Sequence, residues 1–313
     1  EKINKIDDPI KEHIENVINL SIINKKNIKN KKFKVVIDAC NGAAYEALPR
    51  LAKMFGCEVI KINCSNDSDF GRNPEPTPEN LDLLSKTVLE HKADLGFATD
   101  PDGDRLSIVD EKGKAIGEEY TLSLCYLQFL NSNSKSHDMC TNLSTSQTVD
   151  HIAKKFNAKV LRSSVGEINV VNKMKEYNIP FGGEGNGGII LEESHLGRDS
   201  LVGMAMVLDL LAKKEHTISK IIDSIPKYHM LKDKIKLTNY DKRVFDSIIK
   251  EYSDAKCDLT DGIKLIWDES WIHIRKSNTE PIIRIIAESP SHSLTKKLIS
   301  RLKSSIEKYA NRI

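Results

Sequence analysis

Seven residues, Thr99-Asp100-Pro101-Asp102-Gly103-Asp104-Arg105, constrain this chain more than any other stretch. They set three carboxylates on alternate positions, with a glycine to turn the backbone and an arginine directly after. Two aspartates about 4 Å apart repel by roughly 4 kcal/mol at an effective dielectric of about 20. Arg105 is the one local cation, so the cluster asks for a hard metal ion. Oxygen-only ligation suits Mg²⁺, completed by water and a substrate phosphate. The preceding run, 93–99, reads as a short buried strand. That places the aspartates at its C-terminal end, where open α/β sheets bind ligands. The acids from Asp100 to Glu111 also follow an EF-hand order, but Arg105 stands where that loop needs glycine, and the flanks are strand-like. The bland alternative is a solvated acidic turn, since Asp-Gly marks turns generally.

Around this loop, strands and helices alternate. Asp8-Pro9 starts a helix whose Ile10, Ile14, Val17, Ile18 and Ile22 form one apolar stripe. That stripe needs a cover, from the following domain, a missing preceding domain or a second copy of the chain. The basic run 25–32 reads as a solvated connector. Strands at 33–38 and 58–62, helices at 43–55 and 79–91, and a closing helix at 120–130 predict a parallel, three-layer α/β domain over 1–133. A second strand–helix alternation predicts a further three-layer α/β domain over 134–230. Within it lies Gly182-Gly183-Glu184-Gly185-Asn186-Gly187-Gly188, where five glycines around an acid and an amide let backbone approach a ligand. A flexible glycine hairpin explains the same run without a ligand. Over 231–313 the strands group together with two helices, predicting a small α+β domain with its helices on one face of an antiparallel sheet. Its loop Arg275-Lys276-Ser277-Asn278-Thr279-Glu280-Pro281, with Arg284 beyond, gathers arginine forks, hydroxyls and an amide suited to a phosphate. An ordinary Ser-Asn-Thr turn rarely has arginine on both sides.

Composition narrows the function class. The 313 residues carry a net charge of +2 with both signs interspersed, which gives no reason to expect a nucleic-acid partner. Six cysteines show neither C-x-x-C pairs nor zinc-like spacing and read as small buried residues of a reducing compartment. No apolar run is long enough to span a bilayer and no signal peptide is visible, so a cytoplasmic protein with no membrane partner is the expectation.

The aspartate loop, the Gly-Glu-Gly-Asn-Gly-Gly loop and the Arg-Lys-Ser-Asn-Thr-Glu-Pro loop stand in a fixed order. With Asn73-Pro-Glu-Pro-Thr-Pro-Glu-Asn80, they make the chain resemble the archaeal-type branch of the α-D-phosphohexomutases. These are the phosphoglucomutases, phosphomannomutases and phosphoglucosamine mutases. The resemblance covers nearly the whole chain. It implies two family α/β domains followed by a C-terminal domain of TATA-box-binding-protein-like topology. It also implies Mg²⁺ on Asp100, Asp102 and Asp104, with Arg105 beside the transferring phosphoryl group. Glu184 and Asn186 would hold sugar hydroxyls, and Arg275, Ser277, Asn278, Thr279 and Arg284 the non-reacting phosphate. The implied ligands are hexose phosphates and hexose bisphosphates, interconverted between 1- and 6-phosphates through an active-site phosphoserine. Two departures stand out. Glu167 and Gly188 occupy places where bacterial members have histidine, which leaves the general acid/base unassigned. The run Thr-Ala-Ser-His-Asn-Pro, which carries the family's serine, does not occur here. The expectation is therefore a mutase whose first domain is cut off, with no turnover by this chain alone. The rivals are a phosphosugar-binding module without mutase activity and a metal-dependent phosphatase, the latter explaining only the aspartate loop.

Overall fold

Asp8 begins the first helix as expected: its side chain accepts a hydrogen bond from the Lys11 N–H, and Pro9 takes the first helical position. The computed structural model describes residues 8–66, 69–132, 138–214, 216–236, 242–277 and 281–310. The helix, α1 (Pro9–Ile18), is followed by α2 (Lys25–Lys31), β1 (Lys34–Asp38), α3 (Ala47–Met54), β2 (Glu58–Ile62), α4 (Asp82–His91), β3 (Leu95–Thr99) and β4 (Leu106–Val109). The apolar stripe of α1 is covered by the chain itself, since Ile14, Val17 and Ile18 join a core that α3 helps to line. The 25–32 run is not a bare connector. Asn24 caps it and Ile28 is fully buried, so it folds as a short helix.

The first sheet has the order β2-β1-β3-β4. It is mixed rather than all parallel, because β4 pairs antiparallel with β3. The short aspartate loop between them permits only that arrangement, as a parallel return needs a crossover of a dozen residues or more. The helix expected from residue 43 starts at Ala47 instead. Cys40 and Asn41 take left-handed backbone conformations, and the Ala43 N–H donates to the Pro101 carbonyl at 2.7 Å, drawing this segment onto the aspartate loop.

Next come α5 (Glu118–Ser132), β5 (Met139–Asn142), α6 (Thr148–Lys155), β6 (Val160–Ser163), α7 (Glu167–Tyr177), β7 (Phe181–Glu184), β8 (Gly188–Leu191), β9 (His195–Arg198), α8 (Ser200–Lys213) and α9 (Ile218–Asp223). Their sheet runs β6-β5-β7-β8-β9, parallel through β5–β7 and antiparallel beyond. In α8, Leu201 to Leu211 are buried all round, which marks a central core helix rather than an amphipathic surface one. It packs on α1, α2 and α5, and its side chains join a core continuous with the first sheet.

The last segment comprises β10 (His229–Lys236), α10 (Lys242–Glu251), β11 (Lys256–Asp258), β12 (Ile263–Ile266), β13 (Trp271–Lys276), β14 (Ile282–Ser289) and α11 (His292–Ala310). Its five antiparallel strands follow the order β10-β14-β13-β12-β11. Ile248 of α10, Leu302 and Ile306 of α11, and Ile274 and Ile285 of the strands share one separate core. Among the described residues no helix is long and apolar enough to cross a membrane.

Candidate active site

The aspartate loop leaves the C-terminal end of β3, and its neighbours fix its shape. Asp38 at the end of β1 is fully buried and accepts from Arg72 Nε at 3.0 Å, while Arg72 also donates to the Thr99 carbonyl. One arginine thus pins together the ends of two adjacent strands. Gly42 lies so close to the loop that a Cβ there would meet the Pro101 carbonyl oxygen at 2.3 Å. From the other side the Ser200 hydroxyl donates to the Gly103 carbonyl.

The three aspartates converge. Asp100 is fully buried, Asp104 half-buried and Asp102 exposed, and one oxygen of each lies within 4.8 Å of the others. Arg105 pairs through Nε with Asp100 and through Nη1 with Glu75 at 2.7 Å. Burial pushes the Asp100 carboxyl up, but Arg105 outweighs it, so Asp100 titrates below the usual carboxylate range. Burial raises Asp104 to about 7 despite the opposing pull of Arg198, with the charges of Asp100 and Asp102 adding to the rise. Asp102 is raised by its burial and by the Asp100 charge beside it. Asp104 Oδ1 is buried without a hydrogen-bond partner. An all-oxygen donor set with an orphaned buried carboxylate oxygen fits a hard divalent cation.

In sequence, Arg105 is the loop's one cation. The structure adds Arg198. Its guanidinium pairs with Asp104, donates to Glu184 at 3.0 Å and lies 3.3 Å from Glu167, while its backbone N–H donates to Glu167 at 2.9 Å. Arg198 therefore ties the aspartate loop to the glycine loop. No motif flagged it, because it stands in a Gly-Arg-Asp run that reads as the flank of a helix cap. Glu75 was likewise hidden in a proline-rich loop.

The glycine run folds as the tight β7–β8 hairpin. The Leu106 N–H donates to the Gly187 carbonyl at 3.0 Å, and at Gly187, with φ +88°, a Cβ would meet the Leu106 carbonyl at 2.3 Å. The close approach seen here is to β4. Glu184 is 4% exposed. Its carboxylate accepts from Asn142 Nδ2 at 2.7 Å and the Gly166 N–H at 3.1 Å besides Arg198, so both oxygens are engaged. Asn186 sits at the hairpin tip, its side-chain oxygen accepting from the Gly188 N–H at 3.2 Å.

Arg275 on β13 stands directly opposite Arg284 on β14. Like charges in register destabilise a sheet unless an anion joins them. Arg275 Nε is buried and makes no hydrogen bond, and burial, with Arg284 nearby, lowers its pKa. The two arginines line a cavity of about 480 Å³ with Lys232 and Lys234 of β10. The charge of Glu184 acts on Arg275, opposing the fall in its pKa. Ser277 is buried, its N–H donating to the Ile282 carbonyl at 2.9 Å. Asn278 and Thr279 lie outside the described residues.

Three comparisons bear on this arrangement. The family pattern described as phosphoglucomutase/phosphomannomutase, alpha/beta/alpha domain II, matches residues 11–113, and domain III matches residues 118–228. The chain is 36% identical over 296 residues to a phosphoglucomutase/phosphomannomutase of Thermococcus kodakarensis, covering 94% of this chain and 64% of that protein. The chain thus spans just under two thirds of the length of that relative. A crystal structure of a phosphoglucomutase/phosphomannomutase family protein from Burkholderia thailandensis shares the fold, with a TM-score of 0.83 at 22% identity over 96% of this chain and 64% of that one. Aspergillus fumigatus N-acetylphosphoglucosamine mutase, solved with GlcNAc-6P and magnesium, gives a TM-score of 0.63 at 15% identity over 95% of this chain and 68% of that one. On the two domain matches and the relative, this chain belongs to the phosphoglucomutase/phosphomannomutase family.

Proposed function

We propose that this chain carries the metal, sugar and phosphate clamps of a phosphohexomutase, an isomerase that moves a phosphoryl group between the 1- and 6-positions of a hexose. The observation that carries the reading is the linkage of three loops from three sheets. Arg198 joins Asp104 to Glu184, and the charge of Glu184 acts on Arg275, which stands opposite Arg284.

Asp100, Asp102 and Asp104 would hold Mg²⁺, the ion bound in the Aspergillus fumigatus complex. When bound, it would offset negative charge building on the transferring phosphoryl oxygens. Arg105, fixed between Asp100 and Glu75, would present its guanidinium edge to the same group. Arg275 and Arg284 would grip the non-reacting phosphate through charge-assisted hydrogen bonds, with Ser277, Asn278 and Thr279 completing that loop. Asn186, at the hairpin tip, is the residue best exposed to take a sugar hydroxyl. Glu184, with both oxygens engaged, would act chiefly by holding Arg198 and the hairpin in place. No residue of these 313 is assigned as the nucleophile.

Calorimetry tests the reading. Glucose 1,6-bisphosphate should bind in the presence of Mg²⁺, and the unphosphorylated hexose should not. A chain that binds no hexose phosphate would overturn the proposal. In a coupled mutase assay with hexose 1-phosphate and bisphosphate activator, the 313-residue chain should show no turnover. Robust turnover would mean that the carrier residue lies among these residues after all.

A further inference from the structure

One residue beyond Arg198, three side chains from separate elements meet at one point. His13 of α1 and His195 of β9 both direct Nε2 at Asp199 Oδ2, at 2.9 and 3.1 Å. Their rings lie 5.8 Å apart, and the three candidate ligand atoms fall within 4.8 Å of one another. Asp199 divides its work between its two oxygens. Oδ1 caps α8, accepting from the Leu201 and Val202 N–H groups at 2.8 and 3.3 Å, which fixes the carboxylate and leaves Oδ2 for the histidines.

We propose that His13, His195 and Asp199 form a binding site for a divalent transition metal of the zinc type, distinct from the aspartate loop. Ligand atoms about 2.0–2.2 Å from a zinc ion lie about 3.3–3.6 Å from each other at angles near tetrahedral, slightly wider than the two Nε2–Oδ2 distances seen here. Two imidazoles and one carboxylate are the donors that zinc, cobalt and nickel prefer, whereas Mg²⁺ favours the all-oxygen loop. Asp199 is buried while the His13 and His195 side chains are 36% and 44% exposed. An ion held there keeps a coordination position open to water and an entry path from solvent. It would also fasten α1 to the end of β9, where Arg198 precedes Asp199.

The test is calorimetric titration of the chain with Zn²⁺ at neutral pH, with excess Mg²⁺ to fill the aspartate loop. The wild type should bind a single equivalent with that excess present. His13→Gln and His195→Gln should each lose it, and Asp102→Asn should keep it. Circular dichroism without metal confirms that the variants fold, which their exposed imidazoles favour. X-ray absorption of the zinc-loaded wild type gives a second readout that needs no variant, and two imidazoles with one carboxylate are expected. No Zn²⁺ uptake, or uptake unchanged in both histidine variants, would overturn the site. The latter would arise if zinc sat at the His229–His292 pair, whose rings are 6.0 Å apart. An oxygen-only shell around the zinc would overturn it as well.

Discussion

Arg198 pairs with two acids from different loops, Asp104 and Glu184. Removing one partner from a largely buried ion pair costs about 3–5 kcal/mol, and partial exposure of Asp104 favours the lower end. Arg198→Ala should therefore lower stability by about 3 kcal/mol, and added Mg²⁺ should restore part of it by supplying positive charge beside Asp104. Denaturant melts with and without Mg²⁺ measure both; an unchanged midpoint would contradict the account. Asp102 is the converse case, exposed and without a cation of its own. Asp102→Asn should leave the metal-free protein as stable or slightly more so. It should abolish most of the rise in Tm caused by Mg²⁺, with ionic strength matched to remove screening. Identical shifts in variant and wild type would mean that the loop does not hold the ion. At the proposed phosphate clamp, Arg275→Ala should weaken hexose bisphosphate binding by about 1.5–3 kcal/mol, the worth of a charge-assisted hydrogen bond, as read by calorimetry. At this scale the aspartates and the two arginines were legible because their chemistry is local in sequence. Arg198 was not, because its partners come from other elements and only the fold unites them.

Gly42 shows how one element shapes another. The turn after β1 supports the aspartate loop by direct backbone contact, Ala43 N–H to the Pro101 carbonyl. A methyl group at residue 42 would collide with Pro101 backbone, which cannot swing aside as a side chain can. Gly42→Ala should destabilise the protein by about 1–3 kcal/mol, the usual range for overpacking, and weaken the Mg²⁺ response. Thermal melts with and without the ion check this. Elements with a continuous buried run, such as β1 and β3, were readable from their apolar stretches. Three short elements were not. α2 has a single buried residue, Ile28, within a lysine-rich run. β9 is half exposed and carries a glycine, and β11 has only three residues. The glycine run shows a similar limit, since its composition allowed both a ligand cradle and a hairpin. Pairing with β4 shows the hairpin, which presents Asn186 at its tip.

The C-terminal sheet is seated on the second α/β unit by buried polar contacts. Glu288 is 1% exposed and accepts from the Ser146 hydroxyl, the Gln147 N–H at 2.9 Å and Trp271 Nε1 at 2.6 Å. Lys264 Nζ donates to the Leu143 carbonyl while lying 4.0 Å over the Trp271 ring. His273 bridges the Ser144 hydroxyl and the Asp261 carbonyl, and burial lowers its pKa to about 4. Between that value and the ordinary 6.5, the unfolded chain carries a proton on His273 that the folded chain does not. Stability should fall as pH drops through this window, by about 3 kcal/mol in total from this group. His273→Gln should flatten that slope in urea titrations, whatever it does to stability at pH 7; an unchanged slope would place the pH dependence elsewhere. These contacts tie the last sheet to the segment after β5, a relation that no local motif encodes.

The central claim is that one cleft holds a hard metal and a sugar phosphate between loops of three sheets. Its most direct test is anomalous diffraction from crystals of this chain grown with Mn²⁺, an oxygen-ligand substitute for Mg²⁺, and glucose 1,6-bisphosphate. The account predicts a manganese peak among Asp100, Asp102 and Asp104 and a phosphate against Arg275 and Arg284. Metal or phosphate bound elsewhere, with these loops bare, would contradict it.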